Sequence, residues 1–305
     1  MKVRLVQIDG KLPNLALMNL ASFFKSNGDF VELTRHVDRD LFATPDKVFA
    51  SSIFTFSEKH LNTFKTNWPE AIIGGTGSGN WGTVEDIIGQ HKGLDYSIYD
   101  YPFSIGFTQR GCRLKCGFCV VPKKEGSPKT VASIYDIWRG EGHPKKICLL
   151  DNDFFGQPKE EWRQRIKEIR EGGFKVCFNQ GLNVRLLDEE SCAALASIQY
   201  RDDQFQRRRL YTAWDNLRDE QIFFRGVDML EKAGIPPKHL MVYMLIGYDP
   251  EETWERIFHR FNKMVERNIL PYPMVYNNER KDLKRFQRWV VTGLYRFVKW
   301  ENYRP

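Results

Sequence analysis

The sequence predicts an α/β protein with a Rossmann-like N-terminal domain over residues 1–98, six βα units over 99–278, and a basic amphipathic helix over 279–305. Three observations carry this reading. Short apolar runs alternate with helical stretches from the first residues onward, as in a parallel sheet covered by helices. Beyond residue 99 each apolar run ends in polar residues on its C-terminal side, the pattern of a βα barrel whose active site gathers at those ends. In the last segment Leu283, Phe286, Trp289, Val290, Leu294, Phe297 and Trp300 recur at helical spacing, while Lys281, Lys284, Arg285, Arg288, Arg296 and Lys299 fill the opposite face.

In the N-terminal domain, residues 3–8 read as a buried strand followed by turn material at Asp9, Gly10 and Pro13. Leu15, Leu17, Met18, Leu20, Ala21, Phe23 and Phe24 then form an apolar helical face closed by Asn27 and Gly28. Further strands are expected at 30–33, 47–54 and 71–77. The glycine-rich stretch from Gly74 to Gly79 lacks the Gly-Lys-Ser/Thr of a phosphate loop and the frame of a dinucleotide fingerprint, so it reads as a turn admitting another backbone closely.

Six further strands are expected at 103–108, 146–152, 174–181, 209–215, 239–247 and 272–277. Directly after the first of them stand Cys112, Cys116 and Cys119, at C-x₃-C-x₂-C spacing, with an aromatic residue, Phe118, before the third. Three thiolates on one tight loop suit three irons of a [4Fe–4S] cluster and leave the fourth iron open. A zinc knuckle and core cysteines that merely fall close together are the alternatives. Cys148 and Cys177 lie inside apolar strands and read as small hydrophobes, and Cys192 as structural.

The cysteine loop resembles that of the radical S-adenosylmethionine (radical SAM) superfamily. The resemblance implies a partial (β/α)₆ TIM-type barrel, a [4Fe–4S] cluster on Cys112, Cys116 and Cys119, and S-adenosylmethionine chelating the open iron. It further implies reductive cleavage of that cofactor to a 5′-deoxyadenosyl radical that abstracts hydrogen from a substrate. On this reading Asn152 or Asp153 accepts from the methionyl amine, with helix N-capping as the alternative. Asn179 or Arg185 holds the carboxylate, an arginine fork being suited to a planar oxyanion, and Asp215 lies near the ribose; loop-orienting contacts are the alternative. Backbone groups at Ile246 and Gly247 read the adenine edge, unless Gly247 is simply a strand-to-turn glycine.

The layout before residue 98 is similar to the N-terminal domain of cobalamin-dependent radical SAM methylases. However, none of His36, His60 and His91 stands in the D-x-H-x-x-G signature, so cobalamin is not expected. The whole chain resembles bacterial and phage-type radical SAM proteins, some of whose relatives modify nucleobases. That implies a flavodoxin- or ferredoxin-type reductant and, as substrate, a base of DNA or RNA or a nucleotide-derived precursor. A cobalamin-dependent methylase of a small molecule or peptide is the second reading, and a nucleic-acid-binding protein with a structural or redox-sensing cluster the third.

Composition bounds these expectations. Hydrophobic residues make up 42% and charged residues 28% of 305 residues, ordinary for a globular protein, and no apolar run is long enough to span a bilayer. No signal-peptide pattern precedes the first strand, and six cysteines do not form a secreted disulfide framework, so a reducing cytoplasm is expected. The net charge is +7, and residues 279–305 hold eight Lys/Arg against three Asp/Glu. A basic end points to a polyanion, with a solvated helix face as the alternative.

Overall fold

The computed structural model describes residues 1–39 and 44–304. Asp40 to Ala43 and Pro305 lie outside the described residues. The chain divides into two compact units, Met1–Pro102 and Phe103–Pro305, so the boundary falls a few residues beyond the expected 98.

The first unit is one parallel sheet. Its strands are β1 (Lys2–Gln7), β2 (Phe30–Thr34), β3 (Lys47–Ser51) and β4 (Ile72–Gly74), in the order β2-β1-β3-β4. Helix α1 (Leu15–Ser26) begins where Asn14 Oδ1 accepts from the Leu17 amide at 3.2 Å, and packs Leu17, Leu20, Ala21 and Phe24 onto one face. Helix α2 (Glu58–Asn67) brings Phe64 to the other face, where Trp68 also packs. Helix α3 (Glu85–Ile88) is a single turn. Ordering of β2 and β3 on either side of β1 makes every strand C-terminus point to one edge, as parallel pairing requires. The glycine-rich turn follows its sequence reading: a Cβ on Gly75 would stand 2.3 Å from the Ser52 carbonyl oxygen.

The second unit is mixed α/β with two parallel sheets. One has the order β10-β9-β8-β5, from β5 (Ser104–Gly106), β8 (Lys146–Leu149), β9 (Lys175–Phe178) and β10 (Gln199–Tyr200). The other is β11-β12-β13, from β11 (Leu210–Ala213), β12 (Leu240–Ile246) and β13 (Leu270–Val275). A hydrogen bond from the Leu182 amide to the Tyr211 carbonyl, 2.7 Å, joins the loop after β9 to β11. Between β5 and β8 lie a two-stranded antiparallel ribbon, β6 (Gln109–Arg110) with β7 (Lys129–Thr130), and the short helices α4 (Val121–Lys124) and α5 (Ile134–Ile137). All six expected strands form, most of them shorter than expected because the polar ends leave the ladder to become loops. β10 is an added two-residue strand whose sequence shows no alternation.

Helices α6 (Lys159–Glu171), α7 (Glu189–Ala196), α8 (Glu220–Lys232) and α9 (Trp254–Glu266) cover these sheets. Alternate residues of β12, namely Leu240, Val242, Met244 and Ile246, are buried against them, while Met241, Tyr243 and Leu245 are half-buried on the opposite face. The expected helix over 279–305 is corrected. α10 (Lys281–Val291) buries Leu283, Phe286, Trp289 and Val290, then Thr292 caps it and the chain turns at Gly293 into two short 3₁₀ turns. Phe297, assigned by periodicity to the buried face, is 86% exposed.

Candidate iron–sulfur and cofactor site

The cysteine loop is built from its base upward. β6 and β7 pair across residues 111–128 and close the loop on itself. Gly111, with φ +83°, begins it; a Cβ there would stand 2.2 Å from the Ser127 carbonyl oxygen, so no other residue fits. The Cys112 amide donates to the Gly126 carbonyl at 3.1 Å. Glu125 closes the same base: its carboxylate accepts from Arg110 Nε (3.1 Å) and Nη2 (2.7 Å), and from Asn152 Nδ2 (2.8 Å). Burial pushes the Glu125 carboxyl up, but the Arg110 guanidinium and the Gly111 amide outweigh it and hold it below the usual range.

Asp151, at the end of β8, ties the loop to the sheet. It accepts from the Thr108 amide (2.7 Å), the Gln109 amide (3.1 Å) and the Thr108 hydroxyl. Despite three donors, complete burial pushes its carboxyl up to about 7. Its folded-state value then lies above its unfolded one, so protonated Asp151 favours the folded chain below about pH 4. That advantage is lost as pH rises through about 7, by on the order of 4 kcal/mol. Asp151→Asn is therefore expected to flatten the dependence of urea stability on pH across this window. A slope as steep as that of the unsubstituted protein would contradict the assignment.

The three thiols are half-buried. Burial pushes the Cys112 thiol up against the Leu114 amide, which donates to its sulfur at 3.4 Å; nearby Asp153, Cys119 and Cys116 raise it further. Cys116 is likewise raised by burial, opposed by the Arg185 guanidinium beside it and reinforced by Cys119 and Asp215. The three thiols thus lie within electrostatic reach of one another. Among the described residues, no three His, Cys, Asp or Glu side chains gather as the ligands of a single metal ion do. Three half-buried thiols on one closed loop, Cys112 and Cys116 raised first by burial and then by neighbouring negative charge, are a donor set that suits a multi-iron cluster, where each sulfur takes a different iron.

Residues from the strand ends meet this loop, several of them already engaged by other partners. Phe118 packs edge-on against Tyr248, 5.3 Å between ring centres, and Tyr248 in turn against Tyr276 at 4.9 Å. Arg185 reaches the cysteines, but its guanidinium is already paired with Asp219 at 2.6 Å and bonded to Asn183 Oδ1 at 3.1 Å. It is therefore not a free carboxylate fork. Asp215 accepts from the Leu245 amide at 2.9 Å, and burial raises its carboxyl against the opposing Leu245 amide, Arg260 and Arg185.

Asp153 departs further: it is 3% exposed and receives Arg113, so an ammonium would have to displace a guanidinium. Asn152 gives its Nδ2 to Glu125 and keeps Oδ1 without a partner among the described residues. Asn179 ends β9 half-buried, its amide bonded to the Leu149 carbonyl. The backbone groups assigned to adenine are in use: the Ile246 carbonyl accepts from the Tyr276 amide at 3.0 Å, and the Gly247 amide donates to Glu252 at 2.6 Å.

Arg113, Glu125, Asp151, Glu252 and Arg260 were not singled out by sequence. All but Glu252 reach a partner more than twenty-five residues away, so no local spacing marks them. The remaining cysteines follow their sequence reading. Cys148 and Cys177 are paired in register on adjacent strands and fully buried, and hydrogen bonding to Cys148, then burial, drives the Cys177 thiol far up. Burial raises Cys192 to about 11.

The basic features are partly spent on the fold. Arg285 donates to the carbonyls of Trp300 and Tyr303 and lies over the Trp300 ring at 4.4 Å. Arg209, of the Arg207-Arg208-Arg209 run, is buried and donates to the Lys238 carbonyl at 3.1 Å; it precedes β11 and so lies away from the strand ends that meet the cysteine loop. Among the described residues no helix is long and apolar enough to cross a membrane. No protein-family model matches the chain, and no curated protein matches it.

Proposed function

We propose that this chain is a radical SAM enzyme, built on a Rossmann-like N-terminal domain and a partial (β/α)₆ barrel, that modifies a nucleic-acid base. The observation that carries the reading is the closed loop bearing Cys112, Cys116 and Cys119, met by side chains from three separate strand ends. These three residues would hold a [4Fe–4S] cluster; the other three cysteines are buried in the core. When bound, such a cluster with S-adenosylmethionine on its open iron supplies one-electron cleavage of the cofactor and a radical able to abstract hydrogen.

The chain's own residues have narrower tasks. Phe118, packed edge-on against Tyr248, places an aromatic ring directly before Cys119 and would give the cofactor an apolar contact there. Asn152 Oδ1 is the acceptor left for an ammonium group, and Asn179 and Asp215 are polar side chains at the ends of β9 and β11 suited to cofactor hydroxyls. Arg185, neutralised by Asp219, acts on Cys116 more than on a distant carboxylate. Ile246 is buried in the core with Leu240, Val242 and Met244, and Gly247, at φ +78°, turns the chain at the end of β12. A flavodoxin- or ferredoxin-type protein is the proposed reductant and the cytoplasm the proposed compartment. Cobalamin is not part of the proposal.

The test is anaerobic reconstitution with iron and sulfide, then addition of S-adenosylmethionine and dithionite. Formation of 5′-deoxyadenosine and methionine is expected. Full iron uptake without either product would favour a structural or redox-sensing cluster instead, and absence of iron uptake would overturn the reading altogether.

For the substrate, Lys281, Lys284 and Arg288 remain exposed on α10. Replacing all three by Gln is expected to weaken binding of a DNA or RNA probe and to reduce the slope of log affinity against log salt by up to about 3. Equal slopes for the variant and the unsubstituted protein would remove a polymeric substrate lying along this helix.

A further inference from the structure

We infer that the cysteine loop is held in place from the strand ends that meet it, and that Asp153 is the positioning residue for Cys112 rather than a contact for the cofactor amine. The inference rests on the proposed role of the thiols and assigns a task to residues that reading leaves unexplained.

The anchor at Cys112 is the most completely defined. Asp153 lies just beyond β8, and its side chain is 2% exposed. It receives Arg113 Nε at 2.8 Å, Arg113 Nη2 at 3.0 Å and the Arg113 amide at 3.2 Å. Both carboxylate oxygens are engaged by the fork, a geometry that fixes direction as well as distance. The bonded amide belongs to the peptide that leaves Cys112, so the contact sets the plane from which that side chain springs. Asp153 is itself fixed, its amide donating to Gln109 Oε1 at 2.9 Å while Gln109 Nε2 donates to the Arg110 and Gly111 carbonyls, each at 2.7 Å.

The other two strand ends contribute differently. Arg185, beyond β9, is near enough to oppose the rise that burial imposes on the Cys116 thiol, and is steadied by Asp219. Tyr248, beyond β12, packs on Phe118 beside Cys119, and its hydroxyl would stand 2.7 Å from a Cβ placed on Gly117. An ion pair beside Cys112 and an aromatic edge at Phe118 thus hold the loop at two points, with the Arg185 charge acting on Cys116 from a third strand end. Preorganisation of this kind lets thiols meet a cluster without first being ordered.

The test uses full-length apoprotein and reads hydrogen exchange of amides in residues 109–120 for Arg113→Gln, Asp153→Asn and the double variant. Each single variant is expected to exchange about tenfold faster or more in this stretch, and the double variant little faster than either, because both remove one interaction. After reconstitution both are expected to hold less iron per chain. Exchange at the unsubstituted rate in the two single variants would overturn the inference. So would an Asp153→Asn protein that weakens S-adenosylmethionine binding while its loop exchange and iron content stay unchanged. Should Asp153→Asn fail to fold, Arg113→Gln decides alone, since the Arg113 side chain is 36% exposed and its removal opens no core. Faster exchange in the variants of a protein that takes up no iron would overturn the proposed function and leave the anchoring intact.

Discussion

Cys116→Ala is expected to abolish iron–sulfur absorption and S-adenosylmethionine cleavage outright while leaving the chain folded, and Cys112→Ala and Cys119→Ala to do the same. An open cluster depends on all three thiolates, and no fourth cysteine stands near to substitute, since Cys148, Cys177 and Cys192 are sealed in the core. The folded state should survive because the loop is closed by its own ribbon, by Glu125 and by Asp151, none of which uses a cysteine side chain. Cys148→Ala and Cys177→Ala should show the opposite pattern: full iron content, with a loss of about 1 kcal/mol or more from a small buried cavity and a lost thiol contact. Iron and sulfide analysis with visible absorption reads the difference. Normal cluster content in any of the first three variants would end the assignment.

The largest loss of stability is expected from Arg260→Met. Arg260 is 1% exposed, and its guanidinium donates to the carbonyls of Trp214 and Asp215, each at 3.0 Å, and of Leu245 at 3.1 Å, besides pairing with Glu252. Glu252 in turn accepts from the Gly247 amide at 2.6 Å. One cation thus satisfies the chain leaving β11, the end of β12 and the turn that follows it. Removing it strands a buried carboxylate and three carbonyls, which costs about 3–5 kcal/mol. A fall in denaturant midpoint without a change in slope is the expected readout for the second unit, and adding Glu252→Gln should recover part of it. An unchanged midpoint would show that water replaces the guanidinium.

How much of this was legible in the sequence follows from the range of each interaction. Strand and helix positions were readable because burial imposes a local period: Leu240, Val242, Met244 and Ile246 alternate along β12, and Leu283, Phe286 and Val290 recur along α10. The cysteines were readable because their spacing is itself local. The tasks of the strand-end residues were not, since a carboxylate or guanidinium in a sequence does not say which partner claims it. Asp153 and Arg113 are 40 residues apart, and Arg185 and Asp219 are 34 apart. Periodicity also failed past Thr292, because Leu294, Phe297 and Trp300 keep a helical spacing that the turn at Gly293 interrupts. Trp300 is instead gathered by Arg285, a residue that patterning alone assigns to solvent.

The ribbon of β6 and β7 has a consequence for the timing of assembly. Joining the ends of a flexible segment the length of residues 111–128 costs about 2–3 kcal/mol of chain entropy, growing only as the logarithm of its length. Here that cost is borne by two strands formed from residues that immediately flank the loop, and by the Glu125–Arg110 pair across its base. The closure is short-range in sequence, of the kind that forms on the microsecond scale, well before distant strands find one another. On the proposed reading, a cluster would meet a ring already shut, and its binding free energy would not be diminished by having to shut it.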